Sequence, residues 1–334
     1  MMNAKHPTIY HVAKAATVSI STVSRVLNAP HLVSETTREK VLQAIEQLQF
    51  VPKAEAMARA TKQLKRIGVL TPSLTLPSFV ERLRGIAHAL HATGYEMIVY
   101  SVGHETHLQH YLDMLAAARR IDGLIIMTLP VAGKSLQRLM ANHIEIVCIE
   151  VANPLCCNIT TNNTLGGQLA ATHLIEKGCQ RYAYIGESFD LASVTNNSAK
   201  RLQGFHDTLR DSGIELSRQC VRLFPFTMEE TVAHTNHLLD LPEPPDAIFT
   251  YSDLYAIGVL KAARMRKMSV PEDLAVIGFD NIDAADFMEL TTVDQFLEES
   301  GKLAVELLIS RMNGKHPIVQ NIELQIQIKE RRTT

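Results

Sequence analysis

No stretch of the 334 residues approaches the ~20 consecutive apolar residues that a membrane-spanning helix needs. The amino terminus carries charge and Pro7 but no apolar signal core, so export is not expected and the protein is read as cytoplasmic. The five cysteines are odd in number and include Cys156 and Cys157 side by side. They follow neither metal-ligand spacing nor a disulfide framework, which points to reduced thiols. A nucleophile-elbow G-x-S-x-G, a P-loop and a G-x-G-x-x-G are all missing, so enzyme chemistry has no positive support and no cofactor is expected. His104 and His107, in H-E-T-H with His110 beyond, stand three apart, whereas the zinc motif needs histidines four apart on one helical face. They read as a solvated helix start, and no metal is expected. There is no internal repeat or low-complexity stretch, and no heptad tail follows the last expected strand, Ile322–Ile328, so a coiled-coil tetramer is not expected.

What is present describes a globular protein of two or three domains, with 37.1 kDa of mass, 46% hydrophobic residues and 20% charged ones. The net charge of −2 conceals an asymmetry. Residues 1–66 carry ten Lys and Arg against four Asp and Glu, while the remainder carries 23 against 31. A basic head suits a polyanion, because neutralising phosphates releases counterions, and an acidic body is kept off the duplex.

Within the head, Thr8 to Asn28 reads T-I-Y-H-V-A-K-A-A-T-V-S-I-S-T-V-S-R-V-L-N. Ile9, Val12, Ala13 and Ala16 fall at i, i+3, i+4 and i+7, and Val23, Val26 and Leu27 repeat the spacing after a tight break. Thr8 and Ser19 are natural N-caps for the two helices. Ser21, Thr22, Ser24, Arg25 and Asn28 occupy the other faces. The pattern suits an ordinary helical hairpin or a helix-turn-helix, whose polar side lies in the DNA major groove. A third helix begins at Ser34, with Val41, Ala44, Ile45 and Leu48 as its apolar stripe, and ends before Pro52. From Ile67 onward, apolar strands alternate with amphipathic helices. Strands are expected over Ile67–Leu70, Tyr95–Val102, Gly123–Thr128, Glu145–Val151, Tyr182–Gly186, Ala247–Tyr251 and Leu274–Phe279. Helices are expected over Phe79–His91, Thr164–Glu176 and Ala199–Asp211, and Gly166-Gly167 is assigned to close helix packing. Alternation of this kind predicts parallel sheets flanked by helices, and the number of strands argues for two α/β subdomains.

T-V-S-R-V-L-N at Thr22–Asn28 and V-S-E-T-T-R-E-K-V at Val33–Val41 resemble the head of the lactose-repressor (LacI/GalR) family of transcription regulators. The likeness continues through I-G-V-L at Ile67–Leu70, V-I-G-F-D at Val276–Asp280 and L-T-T-V at Leu290–Val293, covering nearly the whole chain. The resemblance implies an N-terminal all-α helix-turn-helix domain (1–50), a hinge (51–66), and an α/β core of two doubly wound, periplasmic-binding-protein-like subdomains (67–334). Its chain would cross between lobes near residues 160, 292 and 320, giving one lobe of 67–160 and 293–320 and another of 161–292 and 321–334. The implied protein is a homodimeric, sequence-specific repressor of a near-palindromic operator, controlled by a small effector. That effector would be a sugar, sugar acid or sugar phosphate. The DNA-facing set is Thr8, Tyr10, Ser19, Ile20, Ser21, Thr22, Arg25 and Asn28, with Arg59 in the hinge. The effector set, position by position, is Ser78, Phe79, Glu150, Arg201, Phe226, Ser252, Asp253, Asp280 and Gln295. Arg201 and Asp280 would grip a ligand from opposite walls. Strand ends in α/β sheets face a crevice, and sugars want planar polar groups beside an aromatic face.

Several positions depart from the family pattern. His11 stands where Asp is usual, which should remove a capping-box carboxylate from the first helix. Thr17 replaces the glycine of the turn, and would be strained if that position needs positive φ. Ile20 and Ser21 replace a base-reading pair; Ile20 can touch a thymine methyl but makes no bidentate bond. Arg59 replaces the minor-groove leucine, which suits a narrowed, A·T-rich groove. Two other classes are distinguishable by experiment. A protein that only sequesters a sugar would keep its role without residues 1–60, and an α/β enzyme would turn a candidate sugar over.

Overall fold

The structure, a computed structural model, describes residues 7–28, 30–50, 64–103, 105–118, 120–188, 196–315 and 318–334. Its contacts divide the chain into two units, Met1–Lys65 and Arg66–Thr334. Residues 51–63 of the expected hinge, Arg59 among them, lie outside the described residues. Among those residues no helix is long and apolar enough to cross a membrane.

The first unit contains α1 (Ile9–Ala15), α2 (Ile20–Asn28) and α3 (Glu35–Gln47), with a 3-10 turn at Pro30–Leu32. Val12, Ala13, Ala16, Val23, Val26, Val41 and Ala44 form its core with Phe50, as the apolar spacing requires. Thr17, in the turn between α1 and α2, has φ 56°, the left-handed conformation that a glycine would hold without strain. Ser19 Oγ accepts from Thr22 N at 3.1 Å and so caps α2. Ser34 precedes α3, but its hydroxyl donates to Thr37 Oγ1 at 2.9 Å. His11 corrects the expectation of a lost capping box. Thr8 N donates to His11 Nδ1 at 3.0 Å, so a deprotonated imidazole nitrogen takes the place of the carboxylate.

The second unit holds two sheets. β1 (Arg66–Thr71), β2 (Glu96–Ser101), β3 (Gly123–Met127), β4 (Glu145–Ile149), β5 (Cys157–Thr161) and β11 (Asn321–Leu324) run in the order β11-β5-β4-β3-β1-β2, all parallel. β6 (Tyr182–Gly186), β7 (Val221–Leu223), β8 (Ala247–Thr250), β9 (Ala275–Asp280), β10 (Thr291–Asp294) and β12 (Gln327–Lys329) run in the order β12-β10-β9-β8-β6-β7. Only β12 pairs antiparallel among these. The central strands are continuous apolar runs because both faces are covered. Leu124 and Ile126 pack with α5 (Glu105–Ala117) and α6 (Gly133–Ala141). Ile125 and Met127 face the other way, toward α4 (Pro77–His91) and α12 (Leu297–Met312). The second sheet repeats the arrangement. Tyr184 and Phe249 meet α7 (Asn163–Glu176) and α8 (Asn197–Asp211). Ile185 and Ile248 meet α9 (Met228–Leu239) and α10 (Asp253–Met265), and α11 (Asp283–Phe287) supplies Ala285 to the same cluster.

The chain crosses between sheets after β5, after β10 and after β11. The third crossing corrects the sequence reading. Ile322–Ile328 is not one strand: Asn321–Leu324 adds to the first sheet, and Gln327–Lys329 turns over to the second. The first lobe thus reaches Leu324 rather than residue 320. Gly167 serves the close packing assigned to it, since a Cβ there would overlap the Arg201 carbonyl oxygen on α8. Gly301 on α12 meets the Arg82 carbonyl oxygen on α4 in the same way.

Candidate DNA-reading face and effector cleft

In the head, Thr8, Tyr10, Ser19, Ile20, Ser21 and Arg25 are exposed and Thr22 is half-buried. Ser19 Oγ lies 2.7 Å from Ser21 Oγ and 2.8 Å from Thr22 Oγ1, which fixes three hydroxyls at the start of α2. Val23, Val26 and Leu27 of α2 belong to the head core, so its other side presents hydroxyls, Ile20 and Arg25 outward. That surface has the donors, acceptors and cation that groove recognition uses. Asn28 closes α2, but its side chain and all of Arg59 lie outside the described residues.

In the core, the expected effector residues separate into two groups. Glu150, Arg201, Asp280 and Gln295 come together between the lobes, all nearly inaccessible. Glu150 follows β4 with φ 61° and Asp280 ends β9 with φ 123°, so each sheet holds a carboxylate at the end of its fourth strand in strained backbone. Arg201, on α8, lies with Cζ 3.4 Å from the Phe279 ring centroid and 4.7 Å from that of Tyr251. Its Nε donates to Asn163 Oδ1 at 2.8 Å, its Nη1 donates to the Tyr251 carbonyl, and Nη1 stands 3.9 Å from Asp280 Oδ1. Arg201 and Asp280 therefore belong to the same lobe and are paired with each other, not set on opposite walls.

The opposite wall is Arg82, on α4, which sequence reasoning missed. Its Nη2 donates to Gln295 Oε1 at 3.1 Å and lies 3.7 Å from Glu150 Oε1. Gln295 Nε2 in turn donates to Asp280 Oδ1. Glu150 accepts from Thr161 Oγ1 at 3.0 Å and from Asn163 Nδ2 at 3.4 Å. The side chains thus form a ring from Arg82 through Glu150, Asn163, Arg201, Asp280 and Gln295 back to Arg82. Burial pushes the Asp280 carboxyl up to about 6, against the opposing pull of Arg201 and Arg82. Burial likewise lowers Arg82 and raises Glu187, which also lies near Arg201.

The remaining candidates have other commitments. Asp253 is fully buried and accepts from Thr292 Oγ1 at 2.6 Å and Ile282 N at 3.0 Å, so it ties α10 to β10 and to the segment after β9. Desolvation raises its pKa well above the ordinary range, and both its oxygens are already engaged. Ser252 is buried at the N-cap position of α10. Phe226 is half-buried and meets Tyr255 edge-on, with centroids 5.1 Å apart. Ser78 is half-buried in the first turn of α4, and Phe79 beside it packs against the first sheet's core. His107 and His110 are exposed on α5, and no group of three or more metal-ligating side chains occurs among the described residues.

This architecture has counterparts. Residues 8–53 match the family described as bacterial regulatory proteins, lacI family, and residues 171–334 match a periplasmic binding protein-like domain. The HTH-type transcriptional repressor PurR of Photobacterium profundum is 31% identical over 316 residues, covering 92% of this chain and 93% of that one. The lac repressor dimer bound to operator and the anti-inducer ONPF superposes with TM-score 0.83 at 27% identity, covering 99% of both chains. The transcriptional regulator CelR in complex with cellobiose superposes with TM-score 0.70 at 27% identity, covering 98% of this chain and all of the other. At 31% identity to PurR over nearly the whole of both chains, the chain belongs to the lacI family of bacterial regulatory proteins as a DNA-binding transcription regulator and not an enzyme.

Proposed function

We propose that the protein is a homodimeric repressor whose operator affinity is set by a small polyol effector held in the inter-lobe ring. The ring itself carries this reading: six side chains from both lobes converge where parallel strands end, with the Arg201 guanidinium lying over the Phe279 and Tyr251 rings. Guanidinium and amide donors beside carboxylate acceptors match the hydroxyls of a sugar. Because the ring spans both lobes, a ligand that replaces its members changes how the lobes are held. Only unequal binding to the DNA-competent and DNA-incompetent states changes operator affinity. The relatives bound to operator, ONPF or cellobiose make both ligand classes reasonable here.

The dimer has support in an exposed apolar patch on the second lobe. Phe287 is 87% exposed and Met288 is 39% exposed. Met288 also borders a shallow hollow of about 550 Å³ in which Leu260, Met268 and Val270 are mixed with charged side chains such as Arg264, Glu272 and Arg332. Isolated exposed apolar residues are ordinary, but Phe287 beside such a hollow suits a self-complementary contact. Sedimentation of the wild type and Phe287→Glu tests it. A wild-type dimer that the variant dissociates is expected, and a wild-type monomer at micromolar concentration would remove the dimer from this reading. For the switch, a thermal-shift screen of sugars, sugar acids and sugar phosphates, followed by gel-shift titration with each hit, is the direct test. A hit that stabilises the core yet leaves operator affinity unchanged would refute effector control.

A further inference from the structure

Arg82 and Arg201 are quasi-equivalent. Both sit on helices of 15 residues, α4 and α8, that follow the first strands of the two sheets, β1 and β6. Each begins a matching run, R-L-R-G-I at Arg82–Ile86 and R-L-Q-G-F at Arg201–Phe205. In both runs the glycine lets a neighbouring helix approach: Gly85 meets the Glu298 carbonyl oxygen, and Gly204 meets that of Thr164. Each arginine also faces the carboxylate at the end of its own sheet's fourth strand, Glu150 or Asp280.

Neither arginine is satisfied by that carboxylate. The nearest oxygens are 3.7 and 3.9 Å away, beyond the 2.7–2.9 Å of a charge-assisted hydrogen bond, and neither pair is bidentate. Arg82 is 3% exposed and its Nε has no hydrogen-bond partner. A buried guanidinium with an unused N–H is costly unless a ligand completes it. Arg201 differs, because its Nε is taken by Asn163 and its plane by Phe279 and Tyr251. Arg82 thus has the free donor, while Arg201 is held in place across from it.

We propose that the effector carries an oxyanion, a carboxylate or a phosphate, and that Arg82 is the residue that selects it by donating from Nε and Nη to that group. The inference rests on the ring being the effector site and adds the charge class of the ligand and the residue that reads it. The upward shift of Asp280, which faces both guanidiniums, and of Glu187, which faces Arg201, fits the same picture, since it lowers the negative charge already available to them.

The test is calorimetry on the full chain with matched probes: glucose, gluconate and glucose 6-phosphate, then ribose, ribonate and ribose 5-phosphate. Wild type, Arg82→Leu, Arg82→Lys and Arg201→Ala are compared. At least one anionic probe should bind wild type about tenfold or more tightly than its neutral parent, as a site built around a polar group discriminates. Arg82→Leu should erase that preference, bringing the anionic probe level with its neutral parent, Arg82→Lys should restore part of it, and Arg201→Ala should weaken both forms while keeping the preference. Whether the carboxylate or the phosphate arm responds identifies the source of the anion. Arg82→Leu deprives Glu150 and Gln295 Oε1 of their partner, so its ligand-free melting temperature should fall; Arg82→Lys keeps the charge and should melt near wild type, and full retention of the anion preference by Arg82→Lys would overturn the role given to the guanidinium. Equal binding of neutral and anionic probes, a panel without any anionic binder, or an anion preference that survives Arg82→Leu also overturns it. If a binding probe is indifferent to both Arg82→Leu and Arg201→Ala, the ring is not the effector site and the functional reading fails with it.

Discussion

Gln295 and Asp280 are joined by a hydrogen bond from the Gln295 amide to Asp280 Oδ1, and the other end of that amide accepts from Arg82 Nη2 at 3.1 Å. One side chain on the second crossing between lobes therefore reads both a first-lobe cation and a second-lobe carboxylate. Any molecule that inserts between them must break or replace these contacts, which is how occupancy of the ring can be felt by both lobes.

Arg25 projects from the exposed side of α2, in a head that is positively charged. Arg25→Ala should weaken binding to the cognate operator by about 1–3 kcal/mol. Gel-shift titration at fixed salt checks it; unchanged affinity would leave α2 without a reading role for this arginine.

Thr17 holds φ 56°, which a β-branched residue adopts only under strain. Thr17→Gly should stabilise the head by about 1 kcal/mol, since glycine occupies this region freely. Hydrogen-exchange protection of α1 and α2 amides reports the change locally. Loss of protection in the variant would show that Thr17 contributes more through its side chain than its backbone costs.

Arg201 is stacked, hydrogen-bonded and buried, so its removal leaves Asp280 and Asn163 without their partner. Arg201→Ala should abolish the ligand response, and with it a coupling typically of ~1–3 kcal/mol between ligand and operator. The head retains its own core, so ligand-free operator binding should be nearly unchanged. Linkage demands reciprocity: operator DNA should change wild-type ligand affinity by the same factor. Calorimetry with and without operator measures it, and equal affinities would mean the ring is no switch.

Asp280 is pushed up to about 6, above its ordinary value near 3.8. Below the ordinary value both folded and unfolded chains hold the proton, and there is no penalty. Between ~4 and ~6 the folded chain keeps a proton that the unfolded chain has released, so stability falls as pH rises and levels off above ~6. Asp280→Asn should remove this slope and be the more stable protein at pH 7.5. The gain should reach at most about 3 kcal/mol, the free energy of holding a carboxyl near 6 instead of near 4. Denaturant unfolding at pH 4.5 and 7.5 compares the two. A wild-type advantage that grows with pH would mean that Arg201 and Arg82 outweigh burial.

Gly204 lets α8 touch the Thr164 carbonyl of α7. Gly204→Ala forces the helices apart and should cost about 1–3 kcal/mol, as overpacking does. Thermal unfolding of the full chain measures it, and an unchanged core transition would show that the pair can separate without loss.

Much of this was legible in the chain itself, because the deciding physics was local or periodic. The helix spacing of Val12, Val23, Val26 and Val41 determined the head core, since only one face of a short helix can be hidden. Uninterrupted apolar runs such as Leu124–Met127 determined parallel strands, since polar alternation is impossible where both faces are covered. Thr17 could be read as strained because a turn of that kind constrains a single residue. Other matters were settled by what folding brings together. His11 looked like a lost cap, yet an imidazole nitrogen reaches the Thr8 amide as a carboxylate would. Asp253 looked free to bind a ligand, but Thr292, distant in sequence, occupies it. A single apolar pattern ran through Ile322–Ile328, and only the crossing of the chain divides it between two sheets. Arg82 has no local feature of its own; the R-L-x-G match to Arg201 is the one signal that pointed to it. Its meaning depends on burial, on the unpaired Nε and on the distance to Glu150, and these exist only once segments far apart in the chain are folded face to face.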